Sequence, residues 1–202
     1  LKDGQMLIFV KSKVGVDELY KRVKDINVKC ASIHGDIDQN ERMQVMSKFR
    51  KQECNVLIAT DVAARGLDIS TIRTVVCYDM GNDIQTHTHR IGRTGRAGAT
   101  GTSYTLVLKS EHKMAAFLIE NMETAKQIVP QELLNVALQH KPFAGARLHG
   151  KAFDGKKVEH APKFGGLGYG KIVNANIPSV SSDPFSQLQA GLMGFGSGSN
   201  DN

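Results

Sequence analysis

Two kinds of hydrophobic patterning alternate along the first 140 residues. Short apolar runs recur at Met6-Leu7-Ile8-Phe9-Val10, Val28 to Ile33, Val56-Leu57-Ile58-Ala59, Val75-Val76-Cys77-Tyr78 and Thr102 to Leu108. Continuous runs of this length, rich in Val and Ile, predict strands buried on both faces. The stretches between them repeat with helical spacing. Val14 to Asp25 carries Val16, Leu19, Tyr20 and Val23 on one side. Asp38 is placed to cap a helix to about Arg50, with Glu41 as capping-box partner. Met43, Met46 and Phe49, three apart, are the expected inner face of that helix. Ser110 is the expected cap of a helix to about Met122, and Pro130 opens a last one to about Gln139 at its first-turn position. His89 to Arg96 reads as helical, entered after Ile84, which puts Arg93 and Arg96 on one face. Strands alternating with helices predict an α/β fold, a parallel sheet sandwiched between helices.

From about Lys141 the periodicity is lost and Gly and Ser become frequent, ending in Gly194-Phe195-Gly196-Ser197-Gly198-Ser199. The expected division is a folded domain over 1–140 and a flexible, partly basic tail over 141–202. A chain of 202 residues starting at Leu1 is expected to be a piece of a longer one. Its formal charge of +6 makes an anionic partner plausible. No apolar run approaches the roughly 18 residues that span a bilayer, so no membrane partner is expected. Cys30, Cys54 and Cys77 form an odd set without CxxC spacing and lie in or beside apolar runs. Free thiols in a reducing, intracellular compartment are the expectation. His87 and His89 have no third ligand at metal-site spacing, so no metal site is predicted.

The chemistry collects at strand ends. In a parallel sheet ligands gather at the carboxyl ends of strands, where Ser12, His34-Gly35-Asp36 and Thr60-Asp61 are all expected. Arg90, Arg93 and Arg96 fall within eight residues with Gly92 and Gly95. Neighbouring guanidiniums repel unless an anion lies between them, and their planar donor forks match phosphate oxygens.

Ala59 to Asp68 (ATDVAARGLD) and His89 to Arg96 (HRIGRTGR) resemble motifs V and VI of the DEAD-box ATP-dependent RNA helicases. Leu7 to Lys13 (LIFVKSK) is similar to motif IV, and Gln39 with Arg42 fits the QxxR element that follows it. Ser12 stands where the family commonly has Thr, which keeps the hydroxyl. The resemblance covers roughly residues 1–140 and implies the C-terminal RecA-like domain. Phe164 to Gly170 (FGGLGYG) further resembles a spliceosome-associated subgroup.

That resemblance implies roles. Arg93 and Arg96 would be catalytic arginine fingers for ATP, worth about 10³–10⁵ in rate. Gly66 and Asp68 would complete the ATP-binding set, with Asp68 on the ribose. Ser12, Gly35, Gln39, Arg42, Thr60 and Asp61 would hold the backbone of single-stranded RNA without reading its bases. Arg65 and His89 would serve the interface with the N-terminal RecA-like domain of the same parent chain. ATP with Mg²⁺ would be held mainly by that domain, since the sequence contains neither GxxxxGK[ST] nor Asp-Glu-Ala-Asp. The chain is therefore expected to be inactive alone. Single-stranded or duplex RNA and ribonucleoprotein partners are expected, in the nucleus rather than the cytoplasm. The alternatives are a non-catalytic RNA-binding scaffold of the same fold and a DNA-directed helicase. Arg93, Arg96 and Asp68 count against the first, and HRIGRTGR against the second.

Overall fold

The computed structural model describes residues 4–66, 69–96, 98–149 and 153. The predicted apolar runs form five parallel strands: β1 (Gln5–Phe9), β2 (Cys30–Ile33), β3 (Val56–Ala59), β4 (Ile72–Cys77) and β5 (Thr102–Thr105), in the order β2-β3-β1-β4-β5. Successive strand residues point to opposite faces, so each hydrophobic run feeds two cores. Leu7, Phe9, Leu57, Ala59, Val75 and Cys77 go to one face, against Met46 and Phe49 of helix α2 (Gln39–Arg50). Met6, Ile8, Val56, Ile58 and Val76 go to the other, against Val16, Leu19 and Val23 of helix α1 (Lys13–Asp25). A sheet covered on both faces needs near-continuous apolar strands, which explains the absence of polar alternation in the sequence.

Three further helices follow the strands on this side of the chain: α3 (Asp61–Ala64), α4 (Ile84–Ile91) and α5 (His112–Thr124). The chain leaves β1 toward β2 but leaves β4 toward β5, so the loops diverge between these central neighbours. That divergence opens a crevice at the carboxyl edge.

Caps set the helix starts. The Asp38 side chain accepts from the amides of Asn40 and Glu41, and Ser12 does the same for Gly15 at the head of α1. Several expectations shift. Met43 is exposed, because a helix of 3.6 residues per turn rotates it away from Met46 and Phe49, and Val45 packs in its place. Glu111, not Ser110, is the N-cap of α5, and its carboxylate accepts from the Leu108 amide at 2.8 Å. β5 stops at Thr105, short of the expected Leu108, although the Leu106 amide still donates to the Cys77 carbonyl. Pro130 caps helix α6 (Gln131–Ala137) from outside instead of opening it from within.

The expected domain boundary at 140 also needs correction. Helix α7 (Lys141–Leu148) continues the folded unit, with Phe143 buried beside Ala115, Ile119 and Ala137. Arg147 stacks over the Phe143 ring and pairs with Glu123 of α5 at 2.5 Å. The Phe153 ring lies 5.0 Å from that of Phe117, and its amide donates to Glu120. Frequent glycine hid this, since a helix anchored by one aromatic shows little periodicity. The rest of the expected tail, including Phe164 to Gly170, lies outside the described residues.

Phe143→Ala should cost about 3–5 kcal/mol by urea denaturation, as a buried aromatic truncation. Leu148→Ala, on the same helix but exposed, should stay within about 0.5 kcal/mol. Equal, small effects would mean that α7 does not belong to the cooperative unit.

Candidate functional site

The centre of the carboxyl edge is Arg90, a residue the sequence reading left without a role. It is only 2% exposed. Its Nε and Nη2 donate to the two carboxylate oxygens of Asp61 at 2.7 and 2.8 Å, a bidentate pair. Nη1 donates to the Asp79 carbonyl at 2.7 Å, and the guanidinium lies over the Phe9 ring. The Asp79 carboxylate in turn accepts from the Lys11 amide at 2.8 Å, across the crevice between β1 and β4. One cation thus ties together the chain leaving β1, β3 and β4. The signal for it was present: His87 and Arg90 sit on the inward stripe of α4, where apolar residues belong.

His87 packs beside this pair. Its Nε2 meets Thr105 Oγ1 at 2.9 Å, while Nδ1 has no hydrogen-bond partner. Burial, reinforced by the Arg90 charge, lowers its pKa from 6.5 to about 4. Burial likewise raises the Asp79 carboxyl above the ordinary range, against the opposing pull of the Lys11 amide and Arg90.

Arg93 and Arg96 do not lie on a helix, contrary to expectation. α4 ends at Ile91 with Gly92 as its C-cap. The arginines stand on the turn that follows, where the Arg93 and Thr94 amides donate to the Arg90 and Ile91 carbonyls. Gly95 has φ of +67°, a conformation that most side chains resist. Thr94 is buried, and its hydroxyl donates to the Ile72 carbonyl at 2.9 Å. Gly101 packs so closely that a Cβ there would lie 2.1 Å from the Thr94 hydroxyl. The Arg96 Nε donates to the Gly92 carbonyl, which braces the stem of its guanidinium. The glycines predicted for close approach therefore build the turn itself.

The other predicted residues divide. Ser12, Gly35, Gln39 and Thr60 do lie at the carboxyl ends, after β1, after β2, at the start of α2 and after β3. Ser12 and Gln39 are exposed, whereas Thr60 is buried. Asp61, after β3, has both of its oxygens engaged by Arg90. Arg42 reaches inward to the Ala63 carbonyl at 2.8 Å, joining α2 to α3. Lys13 pairs with Asp36, and His34 with Asp17 at 3.1 Å. Arg65 and His89 are exposed, and Gly66, with φ of +75°, has open space around it. Asp68 lies outside the described residues. Among those described, no cluster of three His, Cys, Asp or Glu could hold a metal ion. The three cysteines are free thiols.

A five-stranded parallel sheet flanked by helices, in the order β2-β3-β1-β4-β5, defines a RecA-like α/β domain. The helicase conserved C-terminal domain family matches residues 1–98. Chicken (Gallus gallus) ATP-dependent RNA helicase DDX42 is 46% identical over 180 residues, covering 89% of this chain and 18% of that protein. The yeast DEAD-box splicing factor Prp28 superposes with a TM-score of 0.62 at 30% identity, covering 66% of this chain and 31% of that one. Dbp5 of S. cerevisiae bound to RNA and ADP BeF3 gives 0.50 at 39% identity, covering 52% and 28%. The chain belongs to the DEAD-box RNA helicase family, of which it comprises a C-terminal RecA-like domain. It spans under a fifth of the length of the DDX42 relative.

Arg90→Ala, which strands Asp61 at the crevice, should cost about 3–5 kcal/mol in denaturation. Arg93→Ala should cost less than about 1 kcal/mol. A similar small loss in both would remove Arg90 from its structural role.

The His87 shift carries its own pH dependence. The unfolded chain takes up this proton near pH 6.5, the folded chain only near 4. Its contribution is therefore fully present above 6.5 and lost as the pH falls between those values, by about 1–3 kcal/mol. Denaturation at pH 7 and pH 5 should show a loss that His87→Gln reduces. An identical loss in the variant would place the titrating group elsewhere.

Proposed function

We propose that this domain completes an ATP-dependent RNA helicase by supplying arginine fingers and one wall of a single-stranded RNA groove. The observation that carries this reading is the braced turn holding Arg93 and Arg96. Its donors fit a polyphosphate: two planar guanidiniums three residues apart, on a turn pinned by Thr94 and Gly101. ATP with Mg²⁺, held mainly by the N-terminal RecA-like domain, supplies the phosphoryl group. Arg93 and Arg96 stabilise the charge that develops on its oxygens, without reorganising to do so. Gly66 and Asp68 serve the nucleotide side, while Arg65 and His89, both exposed, meet the partner domain. The domain alone is inactive because it brings the fingers and not the cradle.

On the RNA side, Ser12, Gly35, Gln39 and Thr60 offer hydroxyl, amide and carboxamide groups to the sugar-phosphate backbone. Asp61 and Arg42 act behind them: each fixes a neighbouring segment, and the amides they position face the strand. Arg90 then links the RNA edge to the arginine turn. Closure on RNA and delivery of the fingers become parts of one movement. The likeness to a splicing factor supports a nuclear, ribonucleoprotein setting.

In the full-length parent, Arg96→Ala should lower RNA-stimulated ATP hydrolysis by about 10³-fold or more. Arg96→Lys should rescue little, because an ammonium lacks the planar fork. Arg73→Ala, outside the turn, should leave turnover within a few-fold of normal. Similar hydrolysis by Arg96→Ala and Arg73→Ala at saturating RNA would return the arginines to a solvated surface and favour the scaffold.

A further inference from the structure

A cluster of positive charge lies at the edge of the sheet opposite this site. Residues 21–29 and 48–53 carry seven exposed basic side chains against two carboxylates, Asp25 and Glu53. That is a local excess of five positive charges. The two stretches are joined at the amino ends of β2 and β3. The amides of Asn55 and Val56 donate to the Lys29 carbonyl at 3.0 and 3.3 Å. Glu53 folds back on the Lys48 carbonyl, and Asn27 on that of Lys24. Lys24, Lys29, Lys48, Arg50 and Lys51 thus surround one end of the sheet.

The carboxyl edge is built the other way. There Lys13 is paired with Asp36, Arg90 with Asp61, and Arg42 lies on a carbonyl. At the amino edge, among the described residues, no ion pair holds Lys24, Lys29, Lys48, Arg50 or Lys51. Cations in the last turns of α1 and α2 complement the helix dipoles. Lys51 is the C-cap of α2 and shares that role, but Lys29 stands outside both helices, so the dipoles do not account for it.

We propose that this amino-end edge is a second RNA surface, engaging the phosphodiester backbone of a double-helical segment that flanks the strand held at the carboxyl edge. The proposal rests on the RNA-binding reading above and extends it. Duplex suits the surface better than single strand. Single-strand sites interleave cations with aromatic rings on which bases stack. Here Phe49 is fully buried, and Tyr20, whose ring lies 5.9 Å from the Lys24 ammonium, is half-buried against the core. What remains is a set of exposed point charges, matched to the denser phosphates of a duplex and indifferent to its sequence.

The test is a salt titration of the 202-residue chain against a fluorescein-labelled RNA hairpin and a labelled oligouridylate. The variant Lys24→Gln/Lys29→Gln/Lys48→Gln/Lys51→Gln should lower the slope of log K against log salt for the hairpin by about 3, at roughly 0.7–0.9 per phosphate. Oligouridylate binding should change far less. A control with Lys109→Gln/Lys113→Gln/Lys141→Gln, also exposed lysines, should keep the hairpin slope. Circular dichroism confirms that each variant is folded. An unchanged hairpin slope overturns the proposal, as does an equal loss in the control or for oligouridylate. Ser12→Ala/Gln39→Ala tests the groove separately, and should weaken oligouridylate while leaving the hairpin slope intact. Failure there alone removes the carboxyl-edge reading and leaves the amino edge standing.

Discussion

A single buried cation organises the working edge of this domain. Arg90 has almost no contact with water, so its charge must be met by fixed partners. Asp61 meets it with both oxygens, and the Asp79 carbonyl and the Phe9 ring take up the rest. These partners come from chain segments far apart in sequence, so the pair forms only when the strands are in register. It is better regarded as a specificity device than as a source of net stability. A well-packed apolar cluster could hold the same helix in place. It could not hold the Lys11 amide, Asp61 and the arginine turn in one fixed relation.

The rest of the edge depends on that relation. α4 carries Arg90 inward and then stops at Gly92, so Arg93 and Arg96 emerge on a turn whose origin is fixed by the buried pair. Thr94 and Gly101 lock the turn from below. On the other side, Arg42 engages the Ala63 carbonyl of α3, and Asp61 at the start of α3 engages the Arg90 guanidinium. Much of the charge at this edge is internally neutralised. Hydroxyls, amides and the arginine turn remain at this edge, while lysines without an ion pair among the described residues gather at the far edge of the sheet.

The sequence made the architecture legible for a simple reason. A parallel sheet covered on both sides requires unbroken apolar strands, and five such runs could be read directly with the helices between them. Asp38 was readable as a cap because its role needs only the next three residues. Ser12, Gly35 and Thr60 could be placed at strand ends by counting alone, whereas Gln39 came from the family motif. The family motifs agreed with that placement, and the family matches agreed with the motifs.

Where interactions were non-local, the reading failed. Arg90 and Asp61 are 29 residues apart, and no local pattern says that one guanidinium will consume that carboxylate. Arg93 and Arg96 were assigned to a helix because three-residue spacing suits one. It suits the turn after a helix equally well, and the packing of Gly101 against Thr94 decided between them. α7 was hidden in a glycine-containing stretch, because its place rests on Phe143 entering a core made by α5 and α6. The sequence by itself determined which residues had to be buried and which strands they would build. Only the tertiary structure decided which charges would neutralise each other and which would remain for a ligand, because that choice depends on distances between segments that meet only after folding.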